Sequence, residues 1–301
     1  MKYIQPIEIT DAELVDSNVL EDDYAVYDPG TPYSTGARVI SLVTHTVYES
    51  SGDGNQGNDP DDRANNAVLW TVVSATNRWK VFDKKLADQT TNAGSITYEI
   101  TPGKIVNAIA FFNVEASSIN VRITDPTDGE IYNETYSLSD NSGVTDWYTY
   151  FFTPTEKVAE VVAFDLPSYS TQTIFITLSV PAGDVSVGEI VLGAQKTIGG
   201  AVFGSGIGIV DYSRKERDDF GNAVIVERGY SQTSSYDVSI ETKNVRHIQR
   251  QLGRLRAKPL VWSGTDDGGY GLLIYGYFTD FDIQLSGPLF SDCSIEVEGL
   301  T

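Results

Sequence analysis

The sequence has very little of the residue types on which enzymes and redox proteins depend. Its 301 residues include one cysteine, one methionine and two histidines. The lone Cys293 excludes an intrachain disulfide, and its position in the alternating run CSIEVEGL predicts a buried core thiol. The motifs HExxH, CxxC, GxSxG and GxxxxGK[ST] do not occur. The sequence therefore predicts a protein that is not an enzyme and has no cofactor.

Long apolar runs and basic residues are also scarce. No stretch of about 18 apolar residues occurs, and the N-terminal MKYIQPIEITDAEL has no apolar signal core. We therefore expect a soluble protein with no membrane insertion and no export signal. Acidic residues outnumber basic ones by 42 to 21, which gives a net charge of −21. Because nucleic-acid binding requires a positive surface, this excess predicts that nucleic acid is not a partner.

The residues that are abundant are typical of β-structure. Tyrosine (17) and glycine (27) are frequent, and only 21% of residues are charged. Between positions 88 and 197, alternating runs recur roughly every ten residues and are separated by turn signals. These runs are SITYEI, NAIAFFNV, SINVRITD, EIYNETYSL, DWYTYFF, EVVAFDL, TIFITLSV and VGEIVLGA. The pattern predicts an antiparallel β-sandwich of the jelly-roll type.

Changes in pattern divide the chain into four predicted segments, and the predicted fold class is mainly β. Residues 1–23 suit an extended N-terminal arm, and residues 24–87 form a small β module rich in aromatics. Residues 88–197 are the sandwich, and residues 198–301 are a C-terminal α+β domain with one amphipathic helix. Glycines between positions 199 and 208 predict a flexible joint before this last domain.

One segment of the last domain, residues 241–259, has apolar residues at helical spacing. Its stripe consists of Val245, Ile248, Leu252 and Leu255. We predict a helix from about Thr242, as N-cap, to Ala257, ended by Pro259. His247 lies on this helix, whereas His45 lies in the predicted strand HTVYES, so the two histidines are not expected to share a site.

The predicted helix is also the most basic part of the chain. The segment 241–259 contains six of the 21 basic residues, whereas residues 1–83 and 84–197 carry net charges of −9 and −8. A charged face in water explains this pattern. The alternative is a face that docks on acidic surface of a neighbouring copy, in a homo-oligomer such as a ring or trimer. The candidate assembly residues are Lys243, Arg246, Arg250, Arg254 and Arg256.

The polar loop SSGDGNQGNDPDDRANN, residues 50–66, interrupts the aromatic module. Long loops in compact modules often carry function. Here the oxygen-bearing Asp53, Asn55 and Asp59 alternate as ligands do in calcium loops. Gly57, however, has no side-chain oxygen, and Ala64 stands at the twelfth position, where such loops have glutamate. We therefore expect a solvated turn without a metal, with a cation-binding loop as the alternative.

The aromatic residues of the module are the strongest binding candidates. Aromatic rings stack on sugar rings and are frequent in interaction surfaces. The candidates for carbohydrate contact beside the polar loop are Tyr27, Tyr33, Tyr48 and Trp70. The same rings are also what the core of a small domain requires, so both interpretations stay open.

The order of these residues resembles a known family. The run YDPGTPYSTGARVISLVTHTVYES and a later LW are similar to the small chitin-binding type of carbohydrate-binding module. The residues that carry the resemblance are Tyr27, Tyr33, Gly36, Val39, Tyr48 and Trp70. Tyr27 stands where the family usually has tryptophan, and Ala37 where it usually has aspartate. The resemblance implies a module that can bind a glycan.

A broader resemblance extends over the whole chain. MKYIQPIEITDAEL, ATNRWKVFDK, VGEIVLGA, GIVDYSRKERDDFGN, the helix motif RxLxxLRAKP and YGYFTDFDIQL follow one another in this order. Together they resemble a tail or baseplate protein of tailed bacteriophages and prophages. This resemblance implies a structural protein of the virion tail tip, assembled in the host cytoplasm, with other tail proteins as partners.

Two other functions are weighed against this structural role. The first is a receptor-binding protein whose aromatic module recognises host-surface polysaccharide. The second is a polysaccharide-degrading enzyme, which the missing catalytic motifs disfavour.

Overall fold

The computed structural model describes residues 1–140, 146–147, 156–217, 220–265 and 272–300, and it is mainly β. The first strands are β1 (Lys2–Pro6), β2 (Leu14–Ser17), β3 (Arg38–Ser41), β4 (Thr46–Ser50) and β5 (Trp70–Ala75). The next are β6 (Thr90–Ile100), β7 (Ala108–Glu115), β8 (Ser118–Asp125), β9 (Gly129–Ser137), β10 (Ser139–Asp140), β11 (Glu156–Lys157), β12 (Val161–Ala163) and β13 (Thr173–Thr197). The last are β14 (Gly200–Ala201), β15 (Gly206–Asp211), β16 (Arg214–Arg217), β17 (Ala223–Val226), β18 (Tyr230–Glu241), β19 (Leu260–Ser263), β20 (Leu273–Gln284) and β21 (Phe290–Gly299).

Among the described residues, helices are few and short. The α-helices are α1 (Arg63–Asn66) and α2 (Val245–Leu255), and 3-10 turns cover Lys80–Phe82 and Thr242–Asn244. Among the described residues, no helix combines the length and apolar character that a membrane crossing needs. The predicted strand at 146–152 lies outside the described residues except for its first two positions.

The predicted β-sandwich is present, and its long strand β13 takes part in both layers. Both halves of β13 pair with β6; the first half also pairs with β8, and the second half also pairs with β7 and β1, always antiparallel. The sequence analysis divided this segment into two strands at the turn signal PAG. That division is wrong, because the chain continues through a bulge between Ser179 and Asp184. The bulge bends the strand and so connects the two layers.

The interior of the sandwich is filled by the alternating residues that the sequence pattern indicated. In β8 every second residue is buried, and the inward positions are Ile119, Val121 and Ile123. They pack with Phe111 of β7 and Ile176 of β13 in one cluster. Burying a side chain of this size stabilises a fold by about 1.5–3 kcal/mol. This cluster is therefore a major source of the stability of the sandwich.

Strand β1 lies inside a sheet and not in a free arm. It pairs with β13 on one side and with β19 on the other. Tyr3 packs in the same core as helix α2, and Ile4 packs in a different core on the other face of the strand. The prediction of an extended arm over residues 1–23 is therefore wrong for β1. A short strand buried on both faces has no polar–apolar alternation, so the pattern did not reveal it.

Through β1 the hydrogen-bonded sheet continues from the sandwich into the C-terminal region. The strand order along this sheet is β12-β7-β13-β1-β19-β20-β21-β18-β14. The predicted boundary between residues 197 and 198 thus coincides with the end of β13, but hydrogen bonding is continuous across it. Gly199, predicted to belong to a flexible joint, is closely packed, because a Cβ there would lie 2.3 Å from the carbonyl oxygen of Ser239.

The C-terminal region has the predicted helix. Helix α2 buries Ile248, Leu252 and Leu255 against the sheet, which confirms the stripe. The predicted N-cap Thr242 lies instead in the preceding 3-10 turn, where its hydroxyl donates to the carbonyl of Gly287 at 2.9 Å. Because this bond anchors the turn to the loop before β21, the α-helix begins at Val245 and is shorter than predicted.

The aromatic module is a separate three-stranded sheet of β3, β4 and β5. Its small core consists of Val39, Tyr48 and Trp70 with partly buried neighbours. Trp79 and Phe82, which the predicted boundary at residue 87 assigned to the module, pack in the sandwich core instead. The sheet of the module ends with β5, whereas the 3-10 turn at Lys80–Phe82 packs against the sandwich.

Candidate functional site

The four candidate aromatics of the module form one cluster. The rings of Tyr27 and Tyr33 stack with centroids 5.8 Å apart. Both meet Trp70 edge-on, at 6.0 Å for Tyr27 and 5.4 Å for Tyr33. Tyr27 is positioned by its N–H, which donates to the carbonyl of Ile40 on β3 at 3.0 Å. The structure therefore brings the predicted carbohydrate-contact residues together, as the sequence order suggested.

Burial divides this cluster into two halves. Trp70 is 0% exposed, and its indole N–H donates to the carbonyl of Asn58 at 2.8 Å. Tyr48 is also buried, and its hydroxyl donates to Asp61 at 3.2 Å. Neither ring has a free face on which a sugar can stack. Their predicted role in carbohydrate contact is wrong in this structure, because both rings form the core of the small module.

Tyr27 and Tyr33 are half-buried and retain some exposure. The Asp28 N–H donates to the Tyr33 hydroxyl at 2.8 Å, which fixes the second ring. The Tyr27 hydroxyl oxygen is buried and has no hydrogen-bond partner among the described residues. Burial, followed by the nearby charge of Asp59, raises the pKa of Tyr27. A role of these two rings in glycan contact stays a prediction.

The polar loop folds onto the module and not around a cation. Asp53 accepts hydrogen bonds from the N–H and the hydroxyl of Thr35, at 2.8 and 3.0 Å. Asn55 is buried in the module, and Asp59 accepts from the N–H of Asp61 at 2.9 Å. The three candidate ligands thus serve three different places. In the part of the chain that the structure describes, no three His, Cys, Asp or Glu residues are grouped to hold a metal.

His45 joins the module to the N-terminal segment, a role that the sequence analysis missed. It lies in a turn with φ of 51° and not in the predicted strand. Its Nδ1 is 2.9 Å from a carboxylate oxygen of Glu21, and its Nε2 is 3.0 Å from Asp11. Glu21 also accepts from the hydroxyl of Thr76 at 2.9 Å and from the indole N–H of Trp79 at 3.2 Å. No sequence pattern links these distant positions.

A buried carboxyl group lies on β13, behind the segment that follows the module. Glu189 is 3% exposed and accepts a hydrogen bond from the N–H of Lys84 at 3.0 Å. Burial raises the pKa of Glu189 to about 9 and that of Asp83 to about 6. Tyr275 of β20 hydrogen-bonds to Glu189, and burial raises the pKa of its hydroxyl as well. In the sequence, this cluster is indicated by Glu189, an acidic residue inside the apolar run VGEIVLGA.

The basic residues of α2 and its flanks are exposed. The predicted assembly residues all reach the surface, and they are Lys243, Arg246, Arg250, Arg254 and Arg256. Lys243 forms an ion pair with Glu241 at 3.0 Å. The helix thus has an apolar face in the core and a cationic face outside, as the sequence pattern indicated. Whether the outer face contacts another copy stays a prediction.

Cys293 is buried on β21, as predicted, and burial raises its thiol pKa to about 11. A thiol with a raised pKa is a poor nucleophile near neutral pH. The side chain therefore serves the core of the C-terminal region and does not add a reactive group to the surface.

Exposed apolar side chains are concentrated between residues 202 and 230. They include Val202, Phe203, Ile207, Ile209, Val224, Ile225, Val226 and Tyr230. Strands β16 and β17 form a separate two-stranded hairpin in which every residue is exposed. Strand β15 is exposed along most of its length and, among the described residues, pairs only with β18. This region presents apolar surface and an open strand edge together.

No protein-family model matches the chain, and no curated protein matches its sequence. Several solved structures are similar over about two fifths of it. Chitosan-binding module 1 of a Paenibacillus chitosanase/glucanase is 14% identical over 39% of this chain and 84% of its own, with a TM-score of 0.26. The lectin domain of lectinolysin, solved with Lewis B antigen, is 12% identical over 38% and 82%, with a TM-score of 0.26.

A third similar structure is the F5/8 type C domain of a Bacteroides fragilis protein. It is 10% identical over 40% of this chain and 82% of its own, with a TM-score of 0.27. Scores of this size do not establish a shared fold or a shared ligand. The family of the chain and the partners of its surfaces are therefore proposals.

Proposed function

We propose that the chain is a non-catalytic structural subunit of a larger particle, in which a neighbouring protein covers the C-terminal strands β15 to β17. The particle that the sequence resemblance implies is the tail tip or baseplate of a tailed bacteriophage. The observation that carries the proposal is the exposed apolar surface between residues 202 and 230.

Several large apolar side chains of this surface are more than half exposed. Monomeric soluble proteins rarely expose contiguous apolar patches larger than a few hundred Å². On β15, Ile207 and Ile209 are 63% and 66% exposed, and Ile225 on β17 is also 66% exposed. Because apolar area gains free energy only when it leaves water, a partner that covers these strands would stabilise them.

The hairpin of β16 and β17 supports the same proposal. A two-stranded hairpin that packs on nothing is only marginally stable in water. Here Arg214–Arg217 pairs with Ala223–Val226 over four positions, yet no residue of either strand is buried. A second protein that packs against Ile225 would supply the missing core.

The open edge of β15 offers a further mode of contact. Strands at a sheet edge present unpaired N–H and C=O groups, and an added strand can hydrogen-bond to them. Residues 206–211 carry no lysine and no proline, the two residues that commonly protect such edges. The edge is thus suited to strand addition by a neighbour.

An incorporation experiment tests this proposal. In particles released by a producing host, Ile225→Lys is expected to reduce the amount of this protein, because a charge would enter the covered surface. Val43→Lys is the matched control, because Val43 is 79% exposed in a turn of the module. Occupancy is measured by immunoblot against a major tail protein. Absence of the wild-type protein from particles, or normal occupancy of the Ile225→Lys variant, would contradict the proposal.

A second candidate function, binding of host-surface polysaccharide, is favoured by the adjacent half-buried rings of Tyr27 and Tyr33. The loss of one stacking ring is expected to cost about 1–3 kcal/mol of binding, by analogy with bases on aromatic platforms. The wild type, the double variant Tyr27→Ala/Tyr33→Ala and the control Val72→Ala are each labelled with a fluorophore. Their attachment to intact host cells is then compared. Equal attachment by all three would remove this candidate.

A further inference from the structure

A concave surface between helix α2 and strand β1 is lined by several cationic side chains. It encloses about 390 Å³, and we call it the basic groove. Its walls include Tyr3 and Gln5 of β1, Lys196 of β13, Arg250 and Arg254 of α2, and Lys258 after the helix. His247 also contributes to its rim. The groove exists because β1 lies in the sheet directly beside the end of β13, so that both strands face the helix.

Within the described part of the chain, the cations of the basic groove form no ion pair with a carboxylate. No carboxylate there lies within 4.0 Å of the charged groups of Lys196, Arg250, Arg254 or Lys258. This differs from the composition of the whole chain, which carries 42 acidic residues and a net charge of −21.

Like charges follow one another along this face of the helix, and a bound anion would relieve their repulsion. Arg246, Arg250 and Arg254 are spaced four apart, and like charges at this spacing repel on a helix surface. The helix contains no acidic residue that could form a compensating pair. The dipole of the helix favours cations only in its last turn, which includes Arg254 but not Arg246 or Arg250. The repulsion at the groove is thus not offset by local structure.

The shape of the groove adds hydrogen-bonding geometry to the charge. Its floor is fixed, because the amide of Gln251 donates to the hydroxyl of the buried Tyr3. Each guanidinium group presents several N–H donors in a planar fork that matches two oxygens of one phosphate or sulfate group. Two arginines one turn apart and two lysines in the same lining can therefore contact a group with several anionic oxygens.

We propose that the basic groove is a binding site for phosphate or sulfate groups, with a multiply charged ligand as its occupant. The inference stands independently of the proposed structural role, because it rests on α2, β1 and β13 and not on the exposed strands β15 to β17. The ligand can be a free oligoanion or one charged unit of an anionic polymer, since both present the same oxygens to the groove.

Titration calorimetry on the full chain, at low ionic strength and with tripolyphosphate as the probe, tests the proposal. Arg250→Gln/Arg254→Gln removes two charges that line the groove, and we expect it to weaken binding by about tenfold or more. Lys243→Gln/Arg256→Gln is the matched control: it removes two charges from the same helical segment but none from the groove lining. We expect this control to change the dissociation constant by less than about twofold.

Further arms separate the possible ligand sources and alternatives. Binding of inorganic sulfate or orthophosphate as strong as that of tripolyphosphate would overturn the multiply charged occupant. Stronger binding of tripolyphosphate supports an oligoanion. Equal weakening in both double variants would show diffuse electrostatic attraction and overturn the proposal. It is also overturned if the wild type does not bind tripolyphosphate, or if it only self-associates through the groove. Unchanged thermal unfolding of the variants confirms that their fold is intact.

Discussion

The imidazole of His45 lies against the indole of Trp79, with ring centroids 4.2 Å apart and an angle of 22° between the planes. His45 belongs to a turn of the aromatic module, whereas Trp79 packs in the sandwich core. The carboxylate of Glu21 contacts both side chains. These three residues therefore form the physical connection between two parts of the chain that the sequence pattern separates.

Replacing His45 tests this connection. We expect His45→Ala to destabilise the protein by about 1–3 kcal/mol, because it removes a stacked ring and leaves Glu21 with fewer partners. Val43→Ala, in the same turn but exposed, should have little effect. Thermal unfolding followed by tryptophan fluorescence measures the difference. Equal melting temperatures for the two variants would show that the contact between module and sandwich does not depend on His45.

The buried Glu189 predicts a pH dependence of stability. Its pKa is about 9 in the folded protein, against about 4.3 for an unperturbed glutamate. The folded state therefore binds more protons than the unfolded state between these values, and stability decreases as pH rises through this window. We expect the wild type to lose stability between pH 5 and about 9, and Glu189→Gln to lose much less.

Glu115→Gln is the control for this pH experiment, because Glu115 is an exposed acid on β7. Melting temperatures are measured at several pH values for the wild type and both variants. Parallel curves for the wild type and Glu189→Gln would mean that the buried carboxyl is not protonated in the folded protein.

Because Trp70 is buried, we predict that its removal lowers the stability of the module and does not act on a ligand site. We expect Trp70→Ala to cost about 3–5 kcal/mol locally, because a large side chain leaves a core that contains few other buried residues. Hydrogen exchange should increase in β3, β4 and β5 and stay unchanged in β8. Val72→Ala, on the exposed side of β5, is the control. Preserved protection of β3 in Trp70→Ala would contradict the assignment of Trp70 to the core.

The absence of a side chain at Gly193 allows β1 to approach β13 closely, so we predict that a larger residue there destabilises the protein. A Cβ at this position would lie 2.1 Å from the carbonyl oxygen of Gln5, so alanine cannot fit without moving β1. We expect Gly193→Ala to destabilise the protein by about 1–3 kcal/mol and to increase hydrogen exchange in Lys2–Pro6. Gly253→Ala, with open space on helix α2, should instead stabilise by roughly 0.5–1 kcal/mol. Stabilisation by both substitutions would contradict the tight packing of β1.

Some of these features could be predicted from the sequence because they repeat along it. The stripe of α2 and the alternation of β8 each use several residues at a fixed period, so local pattern and burial agree. The candidate aromatics also meet in space as their order suggested. Their burial was not predictable, because the same rings suit a core and a surface, and only the packing of β3 to β5 decides between them.

Other features depend on contacts between distant parts of the chain, which no local pattern encodes. The pairing of β1 with β19 joins Ile4 to Val261, and the groove beside α2 exists only after β1 has been inserted. In the same way, His45 meets Trp79 through Glu21. The bulge of β13 was concealed by a turn signal that a continuous strand can also accommodate.

The inner position of β1 also has a consequence for biosynthesis. Val261, the partner of Ile4, is translated some 250 residues later, which at typical rates of 5–20 residues per second is on the order of 10–50 s. During this interval Tyr3 and Ile4 cannot occupy their final environment, and the edge of β1 that will pair with β19 has no partner. The ribosome-bound chain thus exposes an aggregation-prone strand edge, which makes it a natural client for chaperones that bind nascent polypeptides.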